Sequence, residues 1–398
     1  MERFRRVVVV GASVAGVQTA ESLRQLGYDG ELVVIDGDKE FPYNRPPLSK
    51  ELITGELDEE DIRLLTPEMV NELDIELQLG TWARGLTLEE KILDTSGGAL
   101  SFDGLVIATG AVPVLPEPWA TLEGVTALRT LDDARTIRAA LGGKPSVVVI
   151  GGGFIGCEIA ASVRQESAEV TIVEAAPTLM SRVLDPRTSA PIARLHKNSG
   201  VSVRCGTRVA GLSGSGRVEA VELGDGTRIE ADLVVVGLGA RPATGWLASS
   251  GIELQDGVCA DATLSAAPGV YAVGDVVRHR DGVTSAGRRV EHWTSAREHG
   301  VLAAANLLDP VHARPVSGLP FIWSNQHGRR IQIVGEGSGE QVRFVDTADG
   351  KNDGYLAFVG GPQRVTGLIA FDRPKQFRKG RRLLEAGADW ATVRDTEW

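Results

Sequence analysis

Two glycine-rich loops place the strongest constraint on how this chain of 398 residues can fold. The first, GASVAG at residues 11–16, follows VVVV at 7–10, and the second, GGGFIG at 151–156, follows VVVI at 147–150. A buried strand that runs into a tight glycine turn and then a helix presents backbone N–H groups and a helix N-terminus to a pyrophosphate. One such loop is a weak signal, whereas two, each between a strand and a helix, predict two bound dinucleotides.

The order of elements around the first loop is repeated around the second. Each loop is followed by a helix and then by a strand, at 31–36 and at 169–174, that ends in an acidic residue. After residue 241 the first pattern returns, with a strand and an acidic turn at 270–275. From about residue 313 short apolar segments alternate with glycine turns, which is typical of an antiparallel sheet. We therefore predict an α/β fold with two Rossmann-like dinucleotide-binding domains, residues 1–110 with 241–312 and residues 111–240, plus a C-terminal α+β domain with an antiparallel sheet over 313–398.

The acidic residue that ends the second strand of each unit is a candidate ligand for an adenosine ribose. In the second unit it is Glu174, and the residues after it are Ala175 and Ala176. A 2′-phosphate there would meet a carboxylate without a compensating cation, so we expect NADH to be preferred over NADPH. In the first unit the candidate is Asp36, with Asp38 close behind, and the sequence leaves open which of the two holds the ribose.

Charge and hydrophobicity narrow the functional class. The formal net charge is −11, which argues against general nucleic-acid binding. No apolar run approaches the ~20 residues needed to span a bilayer, and the N-terminus leads directly into the first strand, so we expect a cytoplasmic protein without a membrane partner. One segment, from Phe371 to Arg382, is strongly basic. It is either a solvated helix face or a docking patch for an acidic partner.

Cysteine usage excludes several redox chemistries. The chain has three cysteines, Cys157, Cys205 and Cys259, with no CxxC or CxxxxC pair, no zinc-ligand cluster and no iron–sulfur ligand run. We therefore predict that the protein has no metal site and no redox-active cysteine pair. Cys157 lies just after the second glycine loop and is most simply a small packing residue.

Short motifs along nearly the whole chain resemble one family. PYNRPPLSK at 42–50 looks like the signature of FAD-dependent, NADH-linked ferredoxin reductases, which serve bacterial Rieske-type ring-hydroxylating oxygenases and haem-thiolate monooxygenases. The resemblance implies a glutathione-reductase-like arrangement in which the first domain holds FAD tightly and the second binds NADH as an exchanging substrate. Further matches, in the family's order, are GGGFIGCE at 151–158, GARP at 239–242, YAVGD at 271–275, EHWTSA at 291–296 and FIWSNQ at 321–326.

The resemblance also assigns roles to individual residues. The family's lysine that matches Lys50 lies near flavin N5 and pairs with the glutamate that matches Glu158, which also contacts the nicotinamide amide. Trp323 resembles a tryptophan close to the nicotinamide and flavin rings, although core packing is the ordinary explanation for a tryptophan. Asp275 matches the family's ligand to the ribityl chain, and Trp293 opens a helix whose N-terminus faces the flavin pyrimidine ring. We predict that Lys50, Glu158 and Trp323 are catalytic.

The predicted cofactor-binding set combines the two loops with the family motifs. Ser13 replaces the middle glycine of the first loop, and its hydroxyl can donate a hydrogen bond to a phosphate. Arg45 and Arg129 look like arginines near the flavin cofactor. The full set is Gly11, Ser13, Ala15, Gly16, Asp36, Arg45, Lys50, Ala83, Thr109, Gly110, Arg129, Gly151, Gly153, Phe154, Ile155, Gly156, Glu158, Glu174, Gly239, Gly274, Asp275 and Trp293.

The implied reaction is hydride transfer from C4 of NADH to N5 of FAD, followed by single-electron transfer to a two-iron two-sulfur ferredoxin. Disulfide reductases, NADH oxidases and NADH peroxidases of the same fold keep a reactive cysteine in the region where residues 43–50 have none. The remaining alternatives are an NADH:rubredoxin reductase, a nitrite-reductase-type flavoprotein, and a flavin-stabilised interaction protein of the apoptosis-inducing kind. We expect the ferredoxin to dock near the basic residues Arg373, Lys375, Arg378 and Lys379.

Overall fold

The computed structural model describes residues 4–280, 287–345 and 354–398. These residues form two compact units, each built from three separate segments of the chain. The predicted division into three domains is finer than this and stays a prediction. The first unit comprises the described residues of Met1–Asn44, Glu59–Val112 and Ala240–Ser317, and the second comprises those of Arg45–Asp58, Pro113–Gly239 and Gly318–Trp398.

A six-stranded sheet forms the centre of the first unit. Its neighbouring strands pair in parallel except for the pair at one edge, which is antiparallel. The central strand is a run of valines with no exposed surface from Val7 to Val9, as expected for a strand covered on both faces. In order across the sheet the strands are Ser265–Ala267, Val270–Ala272, Gly104–Ile107, Arg6–Val10, Glu31–Asp36 and Ile75–Leu79.

Two long helices of the first unit, Val14–Gln25 and Trp293–Leu308, pack closely on each other. A Cβ added at Gly300 would lie 2.6 Å from the carbonyl oxygen of Ala15, so glycine permits this approach. The unit also contains the short helix Pro67–Glu72, the antiparallel strands Ala83–Thr87, Ile92–Thr95 and Gly98–Ser101, the short strands Ala111–Pro113, Ala240–Pro242, Val258–Ala260 and Val277–His279, and the 3₁₀ turns Gly245–Leu247, Gly274–Val276 and Pro310–His312.

The second unit contains a five-stranded parallel sheet with the order Ser202–Cys205, Glu169–Glu174, Ser146–Ile150, Leu233–Val236, Val125–Thr126. The helix Leu131–Ala140 begins with a capping box between Thr130 and Asp133. The other elements around this sheet are the helices Glu51–Thr54, Glu117–Ala120, Phe154–Gln165 and Pro186–Asn198, the 3₁₀ turns Pro46–Ser49 and Leu141–Gly143, and the antiparallel strands Val209–Ser213, Ala220–Leu223 and Arg228–Glu230.

The C-terminal part of the second unit is a five-stranded antiparallel sheet followed by two helices, Pro374–Glu385 and Trp390–Asp395. This confirms the predicted antiparallel sheet and closing basic helix. Its core is continuous with that of the parallel sheet, since Ile331 and Phe371 belong to the same buried cluster as Val147. The strand order is Phe321–Gln326, Arg329–Gly335, Val365–Phe371, Tyr355–Gly360, Gln341–Val345. None of the helices in the described part of the chain is both long and apolar enough to cross a bilayer.

Candidate functional site

The first glycine loop connects the central strand of the first unit to the helix Val14–Gln25. Gly11 has a φ of +110°, and a Cβ there would lie 2.4 Å from the carbonyl oxygen of Ala108. A Cβ on Gly16 would lie 1.8 Å from the carbonyl oxygen of Gly11, so a larger residue would push the helix off the strand. Ser13 is the N-cap residue but its side chain forms no cap bond. The first-turn N–H groups therefore suit a pyrophosphate.

The acidic residue Asp36 braces this loop. Its Oδ2 accepts a hydrogen bond from the Ala12 N–H at 2.5 Å, and its Oδ1 accepts one from the Asp38 N–H at 2.8 Å. The Asp38 carboxylate instead accepts from the Tyr43 hydroxyl at 2.9 Å and the Glu40 N–H at 3.1 Å. A carboxylate has about four acceptor positions, so Asp36 and Asp38 both retain capacity for a ribose hydroxyl. Asp36 is the one bonded to the glycine loop, and its role as the ribose ligand stays a prediction.

The other FAD residues predicted in this unit lie mostly at the same sheet edge. Thr109 and Gly110 follow the strand Gly104–Ile107, and Gly274 and Asp275 follow Val270–Ala272, which are parallel neighbours in the sheet. A Cβ on Gly274 would lie 3.1 Å from the Ala15 Cβ, so this turn touches the first-loop helix. Ala83 begins a strand of the separate antiparallel sheet, outside this sheet edge.

The helix predicted to face the flavin begins at Trp293. The Trp293 indole N–H donates to the Asn44 side-chain oxygen at 2.7 Å, which makes Asn44 a binding-site candidate that sequence reasoning missed. Burial lowers the pKa of His292, the N-cap residue, to about 4. Burial and the neighbouring His279 lower the pKa of His299 to about 3. Both imidazoles are therefore neutral at pH 7 and leave the helix start without an added charge.

The second glycine loop has the same construction within the second unit. Gly151 has a φ of +107°, and its Cβ would lie 2.3 Å from the carbonyl oxygen of Gly237. A Cβ on Gly156 would lie 2.1 Å from the Gly151 carbonyl oxygen. Gly153 is the N-cap, with no side chain to cap the first turn of the helix Phe154–Gln165. The side chain of Ile155 is 45% exposed at this helix start. The loop is therefore suited to a second pyrophosphate.

The strand-ending acid Glu174 braces the second loop as Asp36 braces the first. Its Oε2 accepts from the Gly152 N–H at 2.6 Å, and its Oε1 accepts from the Ala176 N–H at 2.7 Å. The guanidinium of Arg182 donates a hydrogen bond to the Leu238 carbonyl at 3.2 Å. Its Nη1 lies close to Gly239, whose φ of +106° is a conformation that explains the glycine there. Arg182 is an exposed cation that the sequence reasoning missed.

The structure brings Lys50 and Glu158 together in the second unit. Lys50 Nζ lies 2.9 Å from Glu158 Oε2, and the two side chains are 12% and 6% exposed. The Ser49 hydroxyl donates to the same oxygen at 2.5 Å, and the Ser324 hydroxyl donates to Oε1 at 2.7 Å. The Lys50 ammonium also donates to the Pro46 carbonyl. Each charge is thus partnered and hydrogen-bonded, which is what a buried ion pair requires.

Trp323 lies one residue before Ser324, so its side chain is on the opposite face of the strand Phe321–Gln326. Its ring is half-buried and stacks on Phe321 with centroids 6.0 Å apart. Arg45 lies just before the 3₁₀ turn Pro46–Ser49, and its Nε is buried with no hydrogen-bond partner among the described residues. An orphaned buried guanidinium nitrogen fits an anionic cofactor group.

Arg129 lies just before the helix Leu131–Ala140, where its backbone N–H donates to the Asp133 carboxylate at 2.9 Å. That contact positions the backbone at the helix start. The role of the Arg129 side chain near the flavin stays a prediction.

The basic segment forms the helix Pro374–Glu385, with Lys375, Arg378 and Lys379 exposed. Arg373, near which docking was also expected, is 4% exposed. It precedes the helix as its N-cap, and its guanidinium turns inward beside Gly354. Arg373 therefore adds no exposed charge, and docking near the other three residues stays a prediction.

The cysteines lack the features of a reactive thiol. Cys157 is completely buried in the helix after the second loop, and burial raises its pKa far above the ordinary value. Burial also raises the pKa of Cys205 and of Cys259, and all three thiols are free. In the part of the chain that the structure describes, no three histidine, cysteine or acidic side chains are grouped so as to hold a metal ion.

Two family models cover most of the chain. Residues 5–300 match the family described as pyridine nucleotide-disulphide oxidoreductase. Residues 321–396 match the family described as reductase C-terminal. The first match includes both glycine loops, and the second includes Trp323 and the basic helix.

Similar proteins of known role align over nearly the full length. The chain is 34% identical to the ferredoxin–NAD(+) reductase subunit of a benzene 1,2-dioxygenase system of Pseudomonas putida, covering 96% of this chain and 92% of that one. It is 34% identical to the ferredoxin–NAD(+) reductase component of the biphenyl dioxygenase system of Paraburkholderia xenovorans, covering 95% and 92%.

Solved structures of the same kind superpose on the chain. The putidaredoxin reductase of the covalent putidaredoxin reductase–putidaredoxin complex has a TM-score of 0.90 at 30% identity, covering 95% of this chain and 92% of that one. The ferredoxin reductase for the CYP199A2 system from Rhodopseudomonas palustris has a TM-score of 0.91 at 32% identity, covering 97% and 95%. The chain therefore belongs to the pyridine nucleotide-disulphide oxidoreductase family, among the ferredoxin–NAD(+) reductases of oxygenase systems.

Proposed function

We propose that this protein is an NADH-dependent FAD flavoprotein reductase that passes electrons singly to a two-iron two-sulfur ferredoxin. That ferredoxin would feed a haem-thiolate monooxygenase or a Rieske-type dioxygenase. The observation that carries the proposal is the buried Lys50–Glu158 ion pair, set in a chain whose relatives along its full length are ferredoxin reductases. Its cytoplasmic location, where NADH is supplied, is part of the same proposal.

The first glycine loop would hold FAD. The fit rests on the tight glycine turn at Gly11 and Gly16 and on the hydrogen bond from the Ala12 N–H to Asp36. Asp275 would bind the ribityl chain. When bound, FAD accepts a hydride from NADH and releases the two electrons one at a time.

Lys50 and Glu158 would orient the reacting groups. The ammonium of Lys50 is fixed by Glu158 and by the Pro46 carbonyl, so its charge has a defined position rather than a solvated, mobile one. Glu158 accepts three hydrogen bonds, from Lys50, Ser49 and Ser324, and a carboxylate has about four acceptor positions. One position therefore remains for an N–H of the nicotinamide amide. Holding that amide sets the face and distance of the nicotinamide ring.

The second loop would bind NADH, with Glu174 as the ribose ligand. Both Glu174 oxygens already brace the loop, and Ala175 and Ala176 supply no cation at that position. A 2′-phosphate would add charge beside a carboxylate that cannot move away. The exposed Arg182 lies beside Gly239, and we assign it to the pyrophosphate.

The helix Pro374–Glu385 would dock the ferredoxin through Lys375 and Arg378, which are both exposed. Lys379 is exposed but has a structural role as well, since its ammonium lies 5.6 Å from the Trp398 ring centroid and donates to the Glu397 carbonyl. A basic surface on a protein of net charge −11 is a local feature that would steer an acidic partner.

The FAD-loaded protein tests the proposal directly. NADH should bleach the flavin absorbance in a rapid-mixing experiment, and a two-iron two-sulfur ferredoxin should then be reduced with turnover. A panel with rubredoxin and a nitrite-reductase haem protein separates the related flavoprotein functions. Bleaching with negligible turnover on every carrier would favour the interaction protein instead. Equal rates with NADPH would overturn the coenzyme assignment.

A further inference from the structure

A continuous chain of hydrogen bonds leads away from the buried ion pair to two histidines. Ser324 Oγ donates to Glu158 Oε1 at 2.7 Å, and Gln326 Nε2 donates to Ser324 Oγ at 3.0 Å. Gln326 Oε1 lies 2.9 Å from His196 Nε2, and His196 Nδ1 lies 3.1 Å from His327 Nε2. Ser324, Gln326 and His196 are each at most 1% exposed. Four hydrogen bonds therefore connect Glu158 with a histidine in a surface turn.

When Glu158 is ionised, the hydrogen bonds of this series can have only one donor-to-acceptor direction. A carboxylate only accepts, so the Ser324 hydroxyl donates to it, and Ser324 then accepts from the Gln326 amide. The Gln326 carbonyl consequently faces His196, whose Nε2 must carry the hydrogen. In a neutral imidazole Nδ1 is then an acceptor, and it receives the hydrogen bond from His327 Nε2. Every donor in the chain points toward Glu158.

This direction requires a neutral His196, whose Nδ1 must accept a hydrogen bond, whereas His327 Nε2 donates in either protonation state. Burial lowers the pKa of His196. Burial, His196 and Arg164 together lower the pKa of His327 to about 4. The two rings meet edge to face with centroids 4.7 Å apart.

A tight turn places His327 beside His196. His327 and Gly328 form the two-residue turn between the strands Phe321–Gln326 and Arg329–Gly335, with φ values of +50° and +71°. Both positive values fit a type I′ turn, in which asparagine is the favoured first residue. Histidine, like asparagine and aspartate, is enriched among the non-glycine residues that adopt this left-handed conformation. The turn therefore accommodates His327 and places it next to His196.

We propose that Gln326 and His196 are positioning residues, which fix the Ser324 hydroxyl and through it the orientation of the Glu158 carboxylate. This inference rests on the proposed function, in which Glu158 holds the nicotinamide amide. Ser49 and Lys50 bind one carboxylate oxygen and Ser324 binds the other, so the carboxylate is held from both sides. Without the hydrogen bond from Ser324, the Glu158 carboxylate is free to rotate.

The series of hydrogen bonds from His327 to Glu158 orients side chains and does not conduct protons. A proton passing along it would have to cross the Gln326 side chain, whose amide nitrogen and carbonyl oxygen are both engaged in fixed roles. An amide transfers a proton only by changing to its imidic acid form. Because the chain has a fixed direction and few alternative arrangements, its effect is on geometry.

Substitutions along the chain test the role in the FAD-loaded protein. Gln326→Leu and His196→Leu should lower the limiting rate of flavin bleaching by NADH about tenfold, the effect of one hydrogen bond, while the NADH Kd changes little. His196→Gln retains an N–H donor at the place of Nε2 and should restore the rate. In a Glu158→Gln background, Gln326→Leu should have no further effect, because it acts through Glu158. The matched control is Gln341→Leu, an exposed position of the same sheet.

Histidine tautomers provide a readout that is independent of turnover. In protein labelled with ¹⁵N-histidine, long-range ¹H–¹⁵N spectra at pH 7.5 should show Nε2–H tautomers for both His196 and His327. His327→Asn, which suits the left-handed turn and should fold well, assigns the His327 signals and removes one donor. An Nδ1–H tautomer at His196 would overturn the proposal even if a buried variant failed to fold.

The kinetic results separate this inference from the proposed function. If NADH does not bleach the flavin of the parent protein, the proposed function fails. If NADH bleaches the parent but Gln326→Leu reacts at the parent rate, only the positioning role fails. Equal loss in His196→Gln and His196→Leu, or additive loss in the Glu158→Gln background, would also contradict it.

Discussion

Glu174 accepts a hydrogen bond from the backbone N–H of Gly152 at 2.6 Å, and so ties the end of its strand to the glycine loop that follows the neighbouring strand. Asp36 does the same for Ala12 at 2.5 Å in the other unit. Under the proposed function each acid would have two tasks, to shape its loop and to receive a ribose. A substitution at either position should affect loop geometry and ligand contact together.

Glu174→Ala should weaken NADH binding about 10- to 100-fold, since charge-assisted hydrogen bonds contribute about 1.5–3 kcal/mol. The flavin content should be unchanged because Glu174 braces only the second loop. Titration of NADH against the oxidised holoenzyme, with rapid-mixing rates, measures the change. Glu169→Ala, at the exposed start of the same strand, is the matched control. Unchanged NADH affinity in Glu174→Ala would contradict the assignment of Glu174 as the ribose ligand.

Much of the fold is predictable because aliphatic runs mark buried strands. The strands at 31–36 and 169–174 are found as Glu31–Asp36 and Glu169–Glu174. The helix that the resemblance predicts to open at Trp293 begins at that residue, after the N-cap His292.

Other features could not be read from the sequence. The helix Pro186–Asn198 is largely polar and contains Pro191, so its pattern does not indicate a helix, yet it carries His196. His196 contacts His327 only because a distant hairpin packs against this helix. The inward turn of Arg373 has the same origin, since charge counted along the sequence does not show which side chains tertiary packing buries.

Lys50→Met should destabilise the protein by about 3–5 kcal/mol, because it leaves the buried Glu158 carboxylate without its cation. The double variant Lys50→Met with Glu158→Leu should regain most of that loss, since no buried charge remains unpaired. Chemical unfolding of the holoenzymes, followed by circular dichroism, compares the two. Equal stability of the single and double variants would show that the pair is not energetically coupled.

Gly156→Ala should unfold or strongly destabilise the second unit, because its Cβ would lie 2.1 Å from the Gly151 carbonyl oxygen. Overpacking of this kind costs about 1–3 kcal/mol or more. Gly153→Ala should keep the parent melting temperature, since a Cβ there meets nothing within 4 Å and its φ is −76°. Melting temperatures of the two variants measure the difference. Equal melting temperatures would contradict the packing of this loop.

Stability should fall as the pH decreases from about 6.5, the usual unfolded-state value for histidine. The folded-state pKa values are lowered to about 4 for His292 and His327 and to about 3 for His299. Between these values and 6.5 the unfolded chain binds more protons, so stability rises with pH. The slope is about 1.4 kcal/mol per pH unit for each such histidine.

Urea midpoints at pH 7.5, 6.5 and 5.5 measure this dependence. His327→Asn should reduce the slope because it removes one of the imidazoles whose pKa is lowered in the folded state. A constant midpoint over this range would show that the buried histidines take up protons without unfolding.

Charge reversal on the exposed face of the basic helix should separate ferredoxin docking from flavin chemistry. The double variant Lys375→Glu with Arg378→Glu replaces two exposed cations. It leaves Lys379 in place, so the contact between its ammonium and the Trp398 ring is kept. Ferredoxin reduction at low ionic strength should slow by about tenfold or more, since charge complementarity governs the association rate. Reduction of ferricyanide should be unchanged.

Added salt should reduce the difference in ferredoxin-reduction rate between the parent and this double variant. Screening weakens the electrostatic steering of the parent, which the variant has already lost. Arg208→Glu, an exposed arginine outside this helix, is the matched control and should reduce ferredoxin at the parent rate. If the double variant also slowed with ferricyanide, or if Arg208→Glu slowed ferredoxin reduction as much, then the helix Pro374–Glu385 would not be the docking surface.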